Sequence, residues 1–171
     1  MRAVSFYRPS DRCVRCGEVS RAPVPRRPNR IAVLGQSMGG SSVLMAVERG
    51  SIERRFPERF AAAIAYYPSC RGRSATLTAP SLILIGEADD LNTAEPCCEM
   101  TAQPHHDGAR LDLVVYPGVH HAFDVDWFQP GRNVRGHWFE YNRSAASDAR
   151  ERVRVFLAIS VGGAIIDPAR R

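Results

Sequence analysis

Four short apolar runs, separated by stretches with helical spacing or by polar loops, dominate the chain from Arg30 onward and leave few folds open to it. They are IAVL (31–34), a strand within FAAAIAYYP (60–68), SLILIG (81–86) and LDLVVYP (111–117). Each is apolar almost without interruption rather than alternating, the pattern of strands buried on both faces. The intervening spacing predicts helices over Met38 to about Arg49, with Val43, Leu44 and Val47 on one side, over about 94–104, and over 145–159, where Ala149, Val153, Phe156 and Leu157 recur at helical intervals. Buried strands alternating with helices form a parallel sheet covered on both faces, so the fold class is α/β. A chain of 171 residues has material for one core. None of its apolar runs approaches the roughly 20 residues needed to cross a bilayer.

Residues 1–29 carry Pro9, Pro23, Pro25 and Pro28 and no stable period, and read as an irregular or disordered arm. Residues 30–160 read as the domain and 161–171 as a C-terminal tail. The net charge of +5 is concentrated in the arm, where arginines far outnumber Asp11 and Glu18, and the rest of the chain is close to neutral. Every basic residue is arginine, and the arm has neither interleaved aromatics nor a docking motif, so no nucleic-acid partner is expected. No membrane partner is expected either. Cys13 and Cys16 have the spacing of half a zinc site, but no second Cys or His pair follows at a finger-like distance, and no metal or cofactor is expected. Cys70 follows the second strand while Cys97 and Cys98 lie at the start of a predicted helix, so Cys70 can approach that pair; which of the two it meets stays open. The first residues lack the run of roughly 7–15 apolar residues that marks a secretory signal, which points to the cytoplasm.

In sheets of this kind, ligands bind at the carboxyl ends of the strands. Ser37, Asp89 and His121 all lie just past strand ends, after IAVL, SLILIG and LDLVVYP respectively. Gly35-Gln36-Ser37-Met38-Gly39 fits G-x-S-x-G, in which a strand turns at once into a helix and the middle residue takes strained backbone angles. The two glycines of the motif are expected to remove side chains that would clash across the turn. The helix amino end and the Met38 N–H would then face the place where an oxyanion develops. A serine hydroxyl needs a base within hydrogen-bond reach, and the base needs an acid to hold its tautomer; His121 and Asp89 can fill those roles. The order Ser, Asp, His along the chain is that of the α/β-hydrolases.

The strings RIAVLGQSMGG (30–40), FAAAIAYYPSC (60–70), LILIGEADD (82–90) and VVYPGVHHAFD (114–124) closely resemble the dienelactone hydrolase family, over about Arg30 to Leu157. The resemblance implies an α/β-hydrolase-type sheet flanked by helices, with Ser37 as nucleophile, Asp89 rather than Asp90 as the acid and His121 rather than His120 as the base. It implies a small ester or lactone as substrate, attacked through an acyl-enzyme. Serine stands where the founding lactone hydrolases carry cysteine, which points to general esterase chemistry. DVDWF follows HAF in place of an arginine that holds an anionic lactone in those enzymes, so substrate identity does not carry over. Trp127, Phe128 and Trp138 are candidates for an acyl pocket.

The family also implies further strands ahead of the nucleophile strand, each βαβ unit taking about 30 residues. With only the proline-broken arm before Ile31, the N-terminal strands are expected to be missing, IAVL to lie at a sheet edge, and the second oxyanion donor to have no candidate. Two other readings therefore stand beside the hydrolase. One is a catalytically silent remnant that binds partners or self-associates through the strand edge at 31–34. The other is a serine peptidase of the prolyl-oligopeptidase kind, which shares the order Ser, Asp, His.

Overall fold

A computed structural model describes residues 30–104 and 108–162; the proline-rich arm, with Cys13 and Cys16, and most of the expected C-terminal tail lie outside the described residues. The apolar runs pair as a four-stranded parallel sheet in the order β1 (Ala32–Gln36), β2 (Ala62–Tyr66), β3 (Ser81–Gly86) and β4 (Leu111–Tyr116). Every residue of β2 and β3 is buried, as expected of strands with a neighbour on each side and side chains packed on both faces. The two edge strands are more open, and on β1 Leu34 is 52% exposed.

Helix α1 (Met38–Val47) turns Val43, Leu44 and Val47 into the core and packs along β1 and β2. Helix α2 (Glu95–Ala102) buries Cys97 and Met100, and stops at Gln103, whose extended conformation precedes Pro104. Helix α3 (Arg143–Val161) buries Ala145, Ala149 and Phe156 and packs against β2 and β3. It begins before the expected 145 because the Asn142 side chain caps it, accepting from the Ala145 N–H at 3.0 Å. It runs through Val161, into the segment expected to be tail, and ends at Gly162 in the left-handed conformation, φ 65°. Arg30 supplies the cation at that end: its guanidinium donates to the Val161 carbonyl at 2.8 Å and the Gly162 carbonyl at 2.5 Å.

A hairpin that the sequence pattern does not announce follows β4. Its strands, β5 (Arg132–Val134) and β6 (His137–Phe139), are three residues each, too short to show a period. Its turn, Arg135-Gly136, has positive φ at both residues, 55° and 96°. Two-residue hairpins of this sort favour Asn or Gly at the first position, and arginine there leaves no local signal.

Cys70, just past β2, is disulfide-bonded to Cys97 in the first turn of α2, and Cys98 is exposed and free. The bond closes a loop with a sequence separation of 27 and ties the β2 end to the segment after β3. Among the described residues no helix is long and apolar enough to cross a membrane. Loss of the crosslink, by Cys70→Ala with Cys97→Ala, should lower the unfolding free energy by roughly 3.5 kcal/mol, the scale for a loop of this length. Urea titration of the variant and the oxidised parent measures it, and equal midpoints would rule out a stabilising role.

Candidate active site

Ser37 joins the last residue of β1 to the first of α1 with φ 51° and ψ −117°. A non-glycine residue held there stores on the order of 1–3 kcal/mol of strain. Its N–H donates to the Tyr66 carbonyl at 2.9 Å, and its carbonyl accepts from the Ser41 N–H at 3.0 Å, so hydrogen bonds on both sides fix the turn. The turn also needs backbones to touch. A Cβ on Gly35 would lie 2.3 Å from the Gly39 carbonyl oxygen, and one on Gly40 would lie 2.8 Å from the Tyr66 carbonyl oxygen. A Cβ on Gly39 would meet nothing within 4 Å. The steric demand therefore falls on Gly35 and Gly40, and not on both glycines of G-x-S-x-G, because α1 approaches β2 through the Gly40 face.

The loops after β3 and β4 leave the sheet side by side, since Gly86 and Tyr116 are register partners. They are in backbone contact: a Cβ on Gly86 would sit 2.0 Å from the Val119 carbonyl oxygen. The Ala88 N–H donates to that carbonyl at 3.0 Å, and the Gly118 N–H to the Glu87 carboxylate at 3.0 Å. This contact brings Asp89 to His121. One Asp89 oxygen accepts from the N–H groups of Leu91 (3.0 Å) and Asn92 (2.8 Å), and the other lies 2.7 Å from His121 Nδ1. His121 Nε2 lies 3.0 Å from the Ser37 hydroxyl oxygen. Donation from Nδ1–H to the carboxylate leaves the Nε2 lone pair facing the Ser37 hydroxyl, an arrangement able to accept a proton from it.

Asp89 and His121 are buried, and the loop amides and the imidazole satisfy the carboxylate there. The neighbouring residues of the same types are occupied elsewhere. The Asp90 carboxylate accepts from the Trp138 N–H at 3.1 Å, and His120 Nδ1 faces the Ala88 carbonyl at 3.0 Å. Met38 opens α1 directly after Ser37, with its side chain in solvent. Among the described residues no group of three or more His, Cys, Asp or Glu is placed to hold a metal ion.

Aromatic rings flank the imidazole. Tyr67 and Phe139 meet it in edge-to-face geometry, with ring centroids at 4.5 Å and 4.7 Å. Phe139 belongs to the unannounced hairpin, and the adjacent Glu140 N–H donates to the His121 carbonyl. Tyr67 stands directly past β2 with φ 37°. The strand-end rule that singled out Ser37, Asp89 and His121 applies equally to it, so a signal for it was present. Of the acyl-pocket candidates, Phe128 packs on Phe139 and Trp127, and Arg132 covers the Trp127 ring at 4.4 Å. Trp138 lies over Gly131 and donates to Glu140. Burial, with a further contribution from the Asp124 carboxylate, pushes the Tyr66 phenol up to about 12 and the Tyr67 phenol higher still.

A parallel sheet that carries a strand–serine–helix turn at its carboxyl edge is the arrangement of the α/β-hydrolase fold. The dienelactone hydrolase family model matches residues 18–160, and the chain belongs to that family. Among solved structures, the chain is similar to one from Klebsiella pneumoniae provisionally assigned as a dienelactone hydrolase (TM-score 0.59, 23% identity, 76% of this chain and 52% of the other). It is also similar to a puromycin-hydrolysing peptidase of Mycobacterium tuberculosis (TM-score 0.57, 13% identity, 80% and 23%). A third is a carboxylesterase of Lactobacillus plantarum (TM-score 0.51, 12% identity, 78% and 60%). At these identities the likeness is one of fold. The chain spans about half the length of the Klebsiella protein, and no curated protein matches it.

Two consequences of this geometry are measurable. Gly40→Ala should lower the melting temperature, because its methyl group meets a backbone oxygen, whereas Gly39→Ala should be neutral or stabilising by up to about 1 kcal/mol from helix propensity. Thermal melts of the pair test this, and equal effects would refute it. Stability should also fall as pH rises from 10 toward about 12. The unfolded Tyr66 phenol releases its proton near the ordinary value of 10.0, while the folded one keeps it to about 12, so the unfolded state gains stability over that interval. Urea unfolding at pH 9 and 11 should show the loss, reduced in Tyr66→Phe.

Proposed function

We propose that this chain is a serine hydrolase acting on small carboxylic esters or lactones, with Ser37 as nucleophile, His121 as general base and acid, and Asp89 as the group that orients the base. The observation that carries the reading is the unbroken hydrogen-bond chain from Asp89 through both nitrogens of His121 to the Ser37 hydroxyl. Membership of the dienelactone hydrolase family supports hydrolysis as the reaction class, and the fold shared with a carboxylesterase favours esters.

In this reading Ser37 Oγ attacks the substrate carbonyl carbon as its proton passes to His121 Nε2. The imidazolium that forms is stabilised by the Asp89 carboxylate. The oxyanion of the tetrahedral intermediate takes the Met38 N–H and the positive end of α1. Collapse of the intermediate breaks the bond to the alcohol oxygen, which leaves with the proton from Nε2, and an acyl-serine remains. Water then attacks the acyl carbon, gives its proton to Nε2, and a second collapse releases the acid and returns the proton to Ser37. The pathway needs neither metal nor cofactor.

The test is labelling by a fluorophosphonate together with hydrolysis of p-nitrophenyl acetate. The parent should form an adduct on Ser37 and turn over the ester, and Ser37→Ala should lose the adduct and at least about 100-fold of the rate. An unlabelled parent that sediments as an assembly would instead favour the silent module pairing through residues 31–34. Preference for peptide anilides over esters would favour the peptidase reading, which the fold shared with the mycobacterial peptidase supports.

A further inference from the structure

We infer that Asp124 is a positioning residue for the imidazole of His121, acting through the Tyr67 phenol and the Gln36 amide; the inference rests on the reading of His121 as the base. Asp124 makes no contact in the Ser37–His121–Asp89 chain, yet it links the loop that carries His121 to the strand end that carries Ser37 and to Tyr67 at the end of β2. One carboxylate oxygen accepts from the Tyr67 hydroxyl at 2.8 Å, and the other from the Gln36 side-chain amide at 2.6 Å. Gln36 is the last residue of β1 and immediately precedes Ser37. Tyr67 is the first residue past β2, and Asp124 lies in the turn directly after His121.

The anchoring of each member explains why the contact can transmit position. The turn holding Asp124 is pinned by Phe123, fully buried among Tyr66, Tyr67 and Tyr116, and by the Phe123 carbonyl, which accepts from the Asn142 N–H at 2.9 Å. Tyr67 is held along its backbone: its N–H donates to the Leu84 carbonyl at 2.7 Å, and its carbonyl accepts from the Asn92 side chain at 2.9 Å. Asn92 is also one of the two residues whose N–H groups bind Asp89. Tyr67 is therefore tied to the acid loop through its backbone and to Asp124 through its hydroxyl, with its ring in edge-to-face contact with the imidazole between them. Without the carboxylate, the phenol has no partner fixing its tilt, and the ring that bounds one side of His121 gains freedom. The carboxylate also links Ser37's neighbour to His121's own loop, so its removal loosens the nucleophile relative to the base. A buried base displaced by a fraction of an ångström keeps its substrate contacts but loses proton-transfer geometry, which lowers kcat and leaves KM in place.

The variants Asp124→Ala, Asp124→Asn and Tyr67→Phe separate this role from others. Asparagine keeps an oxygen for the Tyr67 hydroxyl and an N–H that a rotated Gln36 amide can accept, so it preserves the clamp without the charge. With p-nitrophenyl acetate, Asp124→Ala and Tyr67→Phe should lose about 10- to 100-fold in kcat with KM within about twofold, and Asp124→Asn should stay within about threefold of the parent. The downfield Nδ1 proton resonance of His121, identified by its loss in Asp89→Asn, should broaden in Asp124→Ala and Tyr67→Phe and persist in Asp124→Asn. If Asp124→Ala does not fold in a thermal melt, the contrast between Tyr67→Phe and Asp124→Asn decides. Unchanged kcat and resonance in Tyr67→Phe and Asp124→Ala would overturn the inference. So would an Asp124→Asn variant as impaired as Asp124→Ala, since charge would then be the agent. A parent with no esterase activity would remove the proposed function, and the resonance comparison alone would then decide the role of Asp124.

Discussion

The in-register parallel pairing of four strands is the constraint on which the other features rest. Gln36 pairs with Tyr66 and Gly86 with Tyr116, and the pairs β1–β2, β2–β3 and β3–β4 each run without a bulge. β1 and β2 end level with each other, and β3 and β4 end level two residues further on, so all four loops leave the sheet at the same end. The residues that follow them, Ser37, Tyr67, Asp89 and His121, therefore meet along one edge of the sheet although up to 84 positions separate the bonded pair Ser37 and His121. Hydrogen bonding in β2 and β3 is inseparable from their burial, because a central strand has no water to satisfy its backbone. The register cannot slip without moving apolar residues on both faces, so the alignment of the four loops is enforced by the core itself.

Strain and close approach are spent at the points where this alignment has to be converted into contact. Ser37 and Tyr67 both take positive φ at strand ends, and Ala122 does so immediately after His121 (59°). Three glycines, at 35, 40 and 86, allow backbones to touch where any side chain would collide. These costs are balanced by saturated hydrogen bonding. Among the described residues, no buried side-chain nitrogen or oxygen lacks a partner. The Asp89 carboxyl shows why this matters: a polar group so deeply buried needs partners for its oxygens, and two amides and one imidazole supply them.

Much of this was legible in the sequence because it depends on local pattern. SLILIG coincides with β3 residue for residue, and Val43, Leu44 and Val47 face the core as their spacing required. Ser37, Asp89 and His121 could be nominated from their offsets to strand ends, and the order of the three matched a known chain order. What escaped has a common cause. The β5–β6 hairpin is too short for periodicity and turns on an arginine at positive φ, so it is held by contacts with Asp90 and His121 rather than by its own propensities. The start of α3 depends on the Asn142 cap, and its end is met by the Arg30 guanidinium from the other end of the domain.

The sequence by itself determined the α/β class, the four strands of the parallel sheet with the helices among and after them, and the strand-end positions of Ser37, Asp89 and His121. The class, elements and strand-end positions follow from hydrophobic period and turn chemistry acting within about a dozen residues, whereas the preference for Asp89 over Asp90 and for His121 over His120 came from the family resemblance. Tertiary structure alone decided that Cys70 meets Cys97, that Gly40 rather than Gly39 carries the close approach, that Tyr67 and Phe139 flank the imidazole, and that Asp124 accepts from the Tyr67 hydroxyl. Those outcomes depend on the relative placement of elements far apart in the chain. That placement is set by how the sheet and helices pack together, a quantity no short window of residues contains.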